Sequence, residues 1–178
     1  MAETTIPTVP ENVKPAYEWF FGRAIQKVSP RRRHAIMQRE WGQALRTWAG
    51  RRVDVGTEWR FRITPPDGET RLLVPDVAFV EKVRLDGFPE DQREEPPIAP
   101  DVAVEIRSPD DRERYLEEKT RVYLAAGCRA VIVVDPVKRT VESRDNDGRR
   151  TFTEGETFSH PAMPGFALDL ARSFEELD

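Results

Sequence analysis

Pro100-Asp101-Val102-Ala103-Val104-Glu105-Ile106-Arg107-Ser108-Pro109 is the stretch whose reading decides the fold. With a period of two, Val102, Val104 and Ile106 share one face, and Asp101, Ala103, Glu105 and Arg107 share the other. Dense apolar segments on both sides of this stretch suggest a central strand of a sheet. A central strand exposes carboxylates only into a cleft, and carboxylates there need a cation or a chemical task.

Upstream, Pro75-Asp76-Val77-Ala78 nearly repeats Pro100-Asp101-Val102-Ala103, which predicts two adjacent strands that enter the sheet alike. Residues 53–63 alternate apolar and polar side chains and predict one strand, followed by a turn at Pro65-Pro66-Asp67-Gly68. Ser29-Pro30 predicts a helix start, with Ser29 as N-cap. Ile36, Met37, Trp41, Leu45 and Trp48 recur at helical spacing until Gly50. Residues 16–25 read as a short helix or a strand, and residues 1–14 as a flexible lead-in to one domain over 15–178. Downstream, a helix is predicted to about Ala126, capped by Ser108, Asp110 or Asp111 and closed by Gly127. Ala130 to Asp135 is continuously apolar, as a strand buried on both faces would be, and its approach through a helix predicts a crossover connection. A hairpin around Asp145-Asn146-Asp147-Gly148 and a short apolar closing element follow. The sum is an α/β fold with a mixed central sheet flanked by helices.

The 178 residues carry a net charge of −4 and a single cysteine, Cys128, so neither a disulfide framework nor a thiolate metal site is available. That composition fits a reducing cytosol. No apolar run is long enough to span a bilayer, and the N-terminus does not read as a signal peptide. Arginines crowd residues 23–62, while Asp86, Glu90, Asp91, Glu94 and Glu95 fill a later loop. Such segregation permits a local basic footprint for nucleic acid, and it also describes ordinary solvated faces.

Asp76 and Glu105 sit at polar positions of strands expected to be neighbours. Two carboxylates held together repel unless a cation neutralises them or one takes a proton; otherwise they are strand-edge acids facing water. Hard ions such as Mg²⁺ use such oxygen ligands. Lys119 falls on one helical stripe with Tyr115, Val122 and Ala126, so its ammonium either meets those acids or snorkels to solvent. Near a phosphate it could orient or deprotonate a water, or stabilise growing charge. Arg107 could grip a phosphate or pair with Asp101. Glu18, isolated among aromatics, is a further candidate carboxylate. Arg31, Arg32, Arg33 and His34, near a helix start, could receive a phosphate backbone or form a solvated first turn. His34 and His160 are the only histidines, which argues against a histidine-rich zinc site. Neither a Gly-rich phosphate loop nor a Gly-x-Ser-x-Gly elbow occurs, so no small organic cofactor is expected.

The order of motifs resembles the Uma-type restriction endonuclease family of the PD-(D/E)XK nuclease superfamily. The matching residues are Tyr17-Glu18 with Gly22, Val28-Ser29-Pro30 with His34, and Pro75-Asp76-Val77. They continue through Pro100 to Ile106, Ser108-Pro109-Asp110, Lys119, Tyr123, Asp135-Pro136 and Pro164-Gly165-Phe166. This resemblance implies a restriction-endonuclease-like fold, a Mg²⁺- or Mn²⁺-dependent phosphodiesterase, DNA as partner and a homodimer. It implies Asp76 and Glu105 as the catalytic acids and metal ligands, with Glu18 assisting the metal. The superfamily's lysine usually stands two residues after the second acid, where this chain has Arg107; the match falls instead on Lys119 in the following helix. Arg23 stands where the family commonly has an acid. A nuclease-fold binding or assembly module without turnover is the alternative, with Arg107 and Arg23 as cations in place of an ion.

Overall fold

The run at residues 130–134 leaves no polar position to turn towards water, so both of its faces need cover, and the fold is built around that need. The computed structural model describes residues 7–178, so the first six residues of the expected lead-in lie outside the described residues. In chain order, a hairpin of β1 (Tyr17–Phe20) and β2 (Arg23–Gln26) precedes α1 (Arg32–Ala49), β3 (Val53–Thr57), β4 (Phe61–Ile63) and β5 (Arg71–Leu73). Then come β6 (Val77–Glu81), the short helices α2 (Lys82–Leu85) and α3 (Glu90–Glu94), β7 (Val102–Ile106), α4 (Glu113–Ala125) and β8 (Ala130–Asp135). The hairpin β9 (Thr140–Asp145) and β10 (Gly148–Thr153) is followed by β11 (Thr157–Phe158), β12 (Leu168–Asp169) and α5 (Leu170–Glu175).

Six strands form the central sheet in the order β10-β9-β8-β7-β6-β3, so β7 and β8 are interior. β7 and β8 pair in parallel and the other neighbours antiparallel, and α4 supplies the crossover that a parallel pair requires. The alternation along β7 divides two cores. Val102, Val104 and Ile106 pack with Met37, Trp41 and Leu45 of α1 and with Phe158, Phe166 and Phe174 from the C-terminal segment. Ala103 faces the other side with Val131 and Val133, under Leu116, Val122 and Tyr123 of α4. That second core is closed by Phe20, Phe61, Ile63 and Leu73 of a smaller sheet, β2-β1-β5-β4. The face of β7 that carries Glu105 is therefore buried rather than open to water.

Several expectations are corrected. The alternation over 53–63 is split at Glu58, whose φ of 50° is left-handed, and the chain passes there from the central sheet (β3) to the smaller one (β4). Both halves alternate, so periodicity could not reveal the handover. Residues 16–25 are a hairpin. α1 starts at Arg32, two residues after Pro30, and Ser29 does not cap it. α4 starts at Glu113 with Arg112 at its N-cap, because Asp111 instead accepts from the Ser108 amide at 2.6 Å within a turn. Finally, β6 and β7 are adjacent but antiparallel, so Asp76 and Asp101 lie at opposite ends of the pair.

If the sheet's interior carries the stability, Ile132→Ala, at a fully buried position, should cost about 2–5 kcal/mol. Val137→Ala, at a site 63% exposed, should change stability by less than about 0.5 kcal/mol in the same urea titration.

Candidate active site

The β6–β7 register pairs Val77 with Val104, Ala78 with Ala103 and Phe79 with Val102. One further step along that register sets Asp76 beside Glu105. The Asp76 carboxylate Oδ2 accepts from the amide of Ile106, the residue after Glu105, at 2.7 Å. Two other elements, α4 and β1, reach the same corner. Lys119, on the sheet-facing stripe of α4, donates to Glu105 Oε2 at 2.7 Å and lies 2.9 Å from Glu18 Oε1 on β1. Tyr123, one turn further along α4, donates its hydroxyl to Glu105 Oε1 at 3.2 Å. Glu18 Oε1 also accepts the Val74 amide at 2.8 Å.

Around Asp76 the pattern repeats with a second ammonium. Lys27, one residue past β2, donates to Asp76 Oδ1 at 2.7 Å and to the Val74 carbonyl at 2.8 Å. His34 Nε2, in the first turn of α1, lies 3.2 Å from Asp76 Oδ2, and its buried Nδ1 has no protein partner among the described residues. Gln38, one turn on, donates to the Asp76 carbonyl at 2.9 Å. The non-helical link through Ser29-Pro30 lets Lys27 and His34 converge on one carboxylate. Glu18, Lys27, His34, Asp76, Glu105 and Lys119 line a pocket of about 240 Å³, with Ile106, Arg107 and Asp111 also on its wall.

Burial and charge pull the two acids apart. Burial alone would raise Asp76, but the Lys27 ammonium, with His34 and Lys119, holds its carboxyl well below the usual carboxylate range. Glu105 is pushed up to about 7, because its burial, reinforced by the Asp76 charge, outweighs the attraction of Lys119. Burial would lower Lys119, yet Glu105 and Glu18 keep its ammonium well above the ordinary lysine value.

The structure gathers Asp76, Glu105, Lys119 and Glu18, while the nucleic-acid set disperses. His34 turns inward to Asp76. Arg31 pairs with Asp110 at 3.1 Å, Arg32 donates to the Leu177 carbonyl at 2.9 Å, and Arg33 is exposed. Further along α1, Arg39 pairs with Glu40 and Glu176, and Arg46 donates to the Gly50 carbonyl. Arg107 makes a two-pronged contact with Glu113 at 2.6 and 3.1 Å, rather than pairing with Asp101, which is held by Arg84 and Arg129. Lys27 and Gln38 are the residues that sequence reasoning missed. The signal for Lys27 was its period-two relation to the half-buried Ile25; nothing in the sequence tied it to an acid so far along the chain.

Among the described residues no group of three or more His, Cys, Asp or Glu side chains is arranged to hold a metal ion. The donor chemistry nonetheless suits a hard divalent cation. Mg²⁺ sites commonly use one or two carboxylates, with waters and substrate phosphate completing the shell. Asp76 and Glu105 supply two at the pocket wall, and the Lys27 ammonium stands against Asp76 as a cation would.

The sequence matches the family model described as "Uma2: Putative restriction endonuclease" over residues 4–171. Among solved structures it is similar to "a putative nuclease belonging to DUF820 from Anabaena variabilis ATCC 29413". That similarity has a TM-score of 0.83 at 24% identity over 96% of this chain and 95% of the other, and it establishes the shared fold. A cryo-EM structure of a DrdV–DNA complex aligns at a TM-score of 0.41 and 17% identity, over 76% of this chain and 11% of the other. Comparison with curated proteins gave no match.

The position of Glu105 has a pH signature in metal-free protein. Its folded pKa of about 7 exceeds the ordinary 4.5, so folding takes up a proton between those values. The stability that this contributes is complete below pH 4.5 and is lost as the pH rises through 7. Denaturant titrations in chelator should therefore show wild-type stability falling relative to Glu105→Gln by roughly 3 kcal/mol across that window. Parallel curves would contradict the assignment.

Proposed function

The chain belongs to the Uma2 family, described as "Putative restriction endonuclease", and we propose that it hydrolyses DNA phosphodiester bonds at the Asp76–Glu105–Lys119 corner with a divalent cation, Mg²⁺ or Mn²⁺. The observation that supports this most is the meeting of two carboxylates from paired strands with a buried ammonium at the wall of one pocket. Asp76 and Glu105 would hold the ion. Such an ion supplies polarisation of a phosphate oxygen and activation of water.

The chain's own residues account for the remaining requirements. Lys119 is held by Glu105 and Glu18 as a permanent ammonium, so it suits orienting a water and stabilising negative charge on the phosphate rather than accepting a proton. Glu18 acts here by positioning: it meets Lys119 and the Val74 amide, and that double contact fixes where the ammonium points. The Ile106 amide and Lys27 fix the Asp76 carboxylate. Cutting both strands of a duplex calls for two such centres, so the reading includes a homodimer.

One observation favours a second reading, a nuclease-fold module without turnover: both acids already have ammonium partners at 2.7 Å. Calorimetry with Mn²⁺ separates the two, since heat of binding is expected from a nuclease and none from the inert module.

For the nuclease reading, wild-type protein with Mn²⁺ should nick supercoiled plasmid. Asp76→Asn, Glu105→Gln and Lys119→Met should each lose on the order of 10²-fold or more in rate, with circular dichroism confirming that each variant is folded. Equal nicking by all four proteins would retire the assignment.

A further inference from the structure

The β1–β2 turn is built against local preference. Phe20 pairs with Arg23, leaving Phe21-Gly22 as a two-residue loop with φ of 54° and 67°. A loop with both residues at positive φ favours Asn-Gly, because a Cβ is tolerated poorly there. Gly22 fits that rule, but Phe21 does not. Nor is its ring withdrawn into the core to compensate, since Phe21 is 48% exposed. An exposed aromatic on a strained turn points to a task outside the fold.

Its surroundings indicate what that task recognises. The Phe21 ring lies 5.8 Å from Tyr115, and Phe20 meets Tyr115 edge-on at 5.4 Å, giving a short aromatic ledge. Three exposed arginines surround it. The guanidinium groups of Arg112 and Arg114 stand 5.6 and 5.0 Å from the Tyr115 ring centre, and Arg23 donates to the Tyr115 hydroxyl at 3.2 Å. None of the three forms an ion pair among the described residues, whereas nearby Arg31, Arg107 and Arg121 all do. Arg112 and Tyr115 also line the pocket that holds Asp76 and Glu105, so the ledge runs into its mouth.

We propose that this ledge binds an unpaired nucleotide beside the scissile phosphate, with Phe21 stacking on the base and Arg23, Arg112 and Arg114 taking the flanking phosphates. The preferred substrate is then DNA with a single-stranded portion rather than uninterrupted duplex; this rests on the nuclease reading of the adjoining pocket. A base inside a duplex is already stacked on both faces and offers no free π-surface, whereas an unpaired base does. Carboxylate-free guanidinium groups complement a phosphate backbone and would repel a basic partner.

Fluorescence anisotropy in chelator tests binding apart from cleavage, using one labelled oligonucleotide either single-stranded or annealed to its complement. Wild type should favour the single strand. Phe21→Asn, which suits the turn and should melt no lower than wild type, should weaken single-strand binding about tenfold and leave duplex binding within about twofold. Removing Arg112 and Arg114 together should weaken both and flatten the salt dependence by about 0.7 in log–log slope per arginine. A wild-type preference for duplex, or single-strand binding by Phe21→Asn equal to wild type, would overturn the proposal. If the protein does not nick plasmid yet keeps the Phe21-dependent preference, the nuclease reading fails and the ledge stands; nicking with unchanged binding by Phe21→Asn is the reverse.

Discussion

An ammonium buried between two carboxylates governs how the rest of this molecule is arranged. Lys119 lies within 2.9 Å of both Glu105 and Glu18, and all three side chains are buried. Removing one member of such a group is strongly destabilising, on the order of 3–5 kcal/mol, because the charges left behind have no solvent to turn to. The contact therefore ties β7 of the central sheet, α4 above it and β1 of the smaller sheet into one fixed relation. Lys27 repeats the device with Asp76 and joins the β2 end to the start of β6. Three acids and two ammonium groups thus share one small volume, and the balance leaves room for further positive charge. Glu105 records this most plainly: burial and the neighbouring Asp76 carboxylate push it up to about 7 even with Lys119 in contact.

The topology makes that cluster a corner rather than a scatter of charges. Because β6 and β7 run antiparallel, the start of one lies beside the end of the other, which brings Asp76 to Glu105 and Ile106. Because β7 and β8 run parallel, the chain must cross the sheet between them, and α4 makes that crossing directly over the face of β7 that carries Glu105. The helix stripe that packs on the core supplies Leu116, Val122 and Tyr123 for cohesion and Lys119 for charge. The charged corner is in this way a by-product of one parallel pair next to one antiparallel pair, with the crossing helix as roof.

Much of this was legible in the sequence, for physical reasons that also mark where legibility ends. Ala130 to Val134 had to be covered on both faces, and β7 declared two faces by alternation, so the centre of the sheet and the inward setting of Glu105 followed. Helical spacing put Lys119 on the core-facing stripe of its helix and left open whether its ammonium meets the acids or reaches solvent; the structure sets it on Glu105 and Glu18. Periodicity does not encode which way a strand runs, so the repeated Pro-Asp-Val-Ala suggested two strands entering the sheet alike, whereas the antiparallel pairing puts Asp101 at the far end with Arg84 and Arg129. Nor does it encode where a chain changes sheets, as at Glu58. The inward turn of His34 and the role of Lys27 depend on convergence across long sequence distances, which no local pattern reports. The charge run at Arg31 to Arg33 is a different case: it stays exposed, and sequence reports its charge without its neighbours. Charge runs show composition, while the groups they meet, here Asp110 for Arg31 and the Leu177 carbonyl for Arg32, come from remote parts of the chain.

The claim on which the functional reading depends is that Asp76 and Glu105 form a cation site in which Lys27 is a stand-in. Crystals soaked in Mn²⁺ and measured at the manganese absorption edge test it directly. An anomalous peak touching both carboxylates, with the Lys27 ammonium moved off Asp76 Oδ1, is the expected result. A pocket without a peak, Lys27 still seated on Asp76 and Lys119 on Glu105, would contradict it.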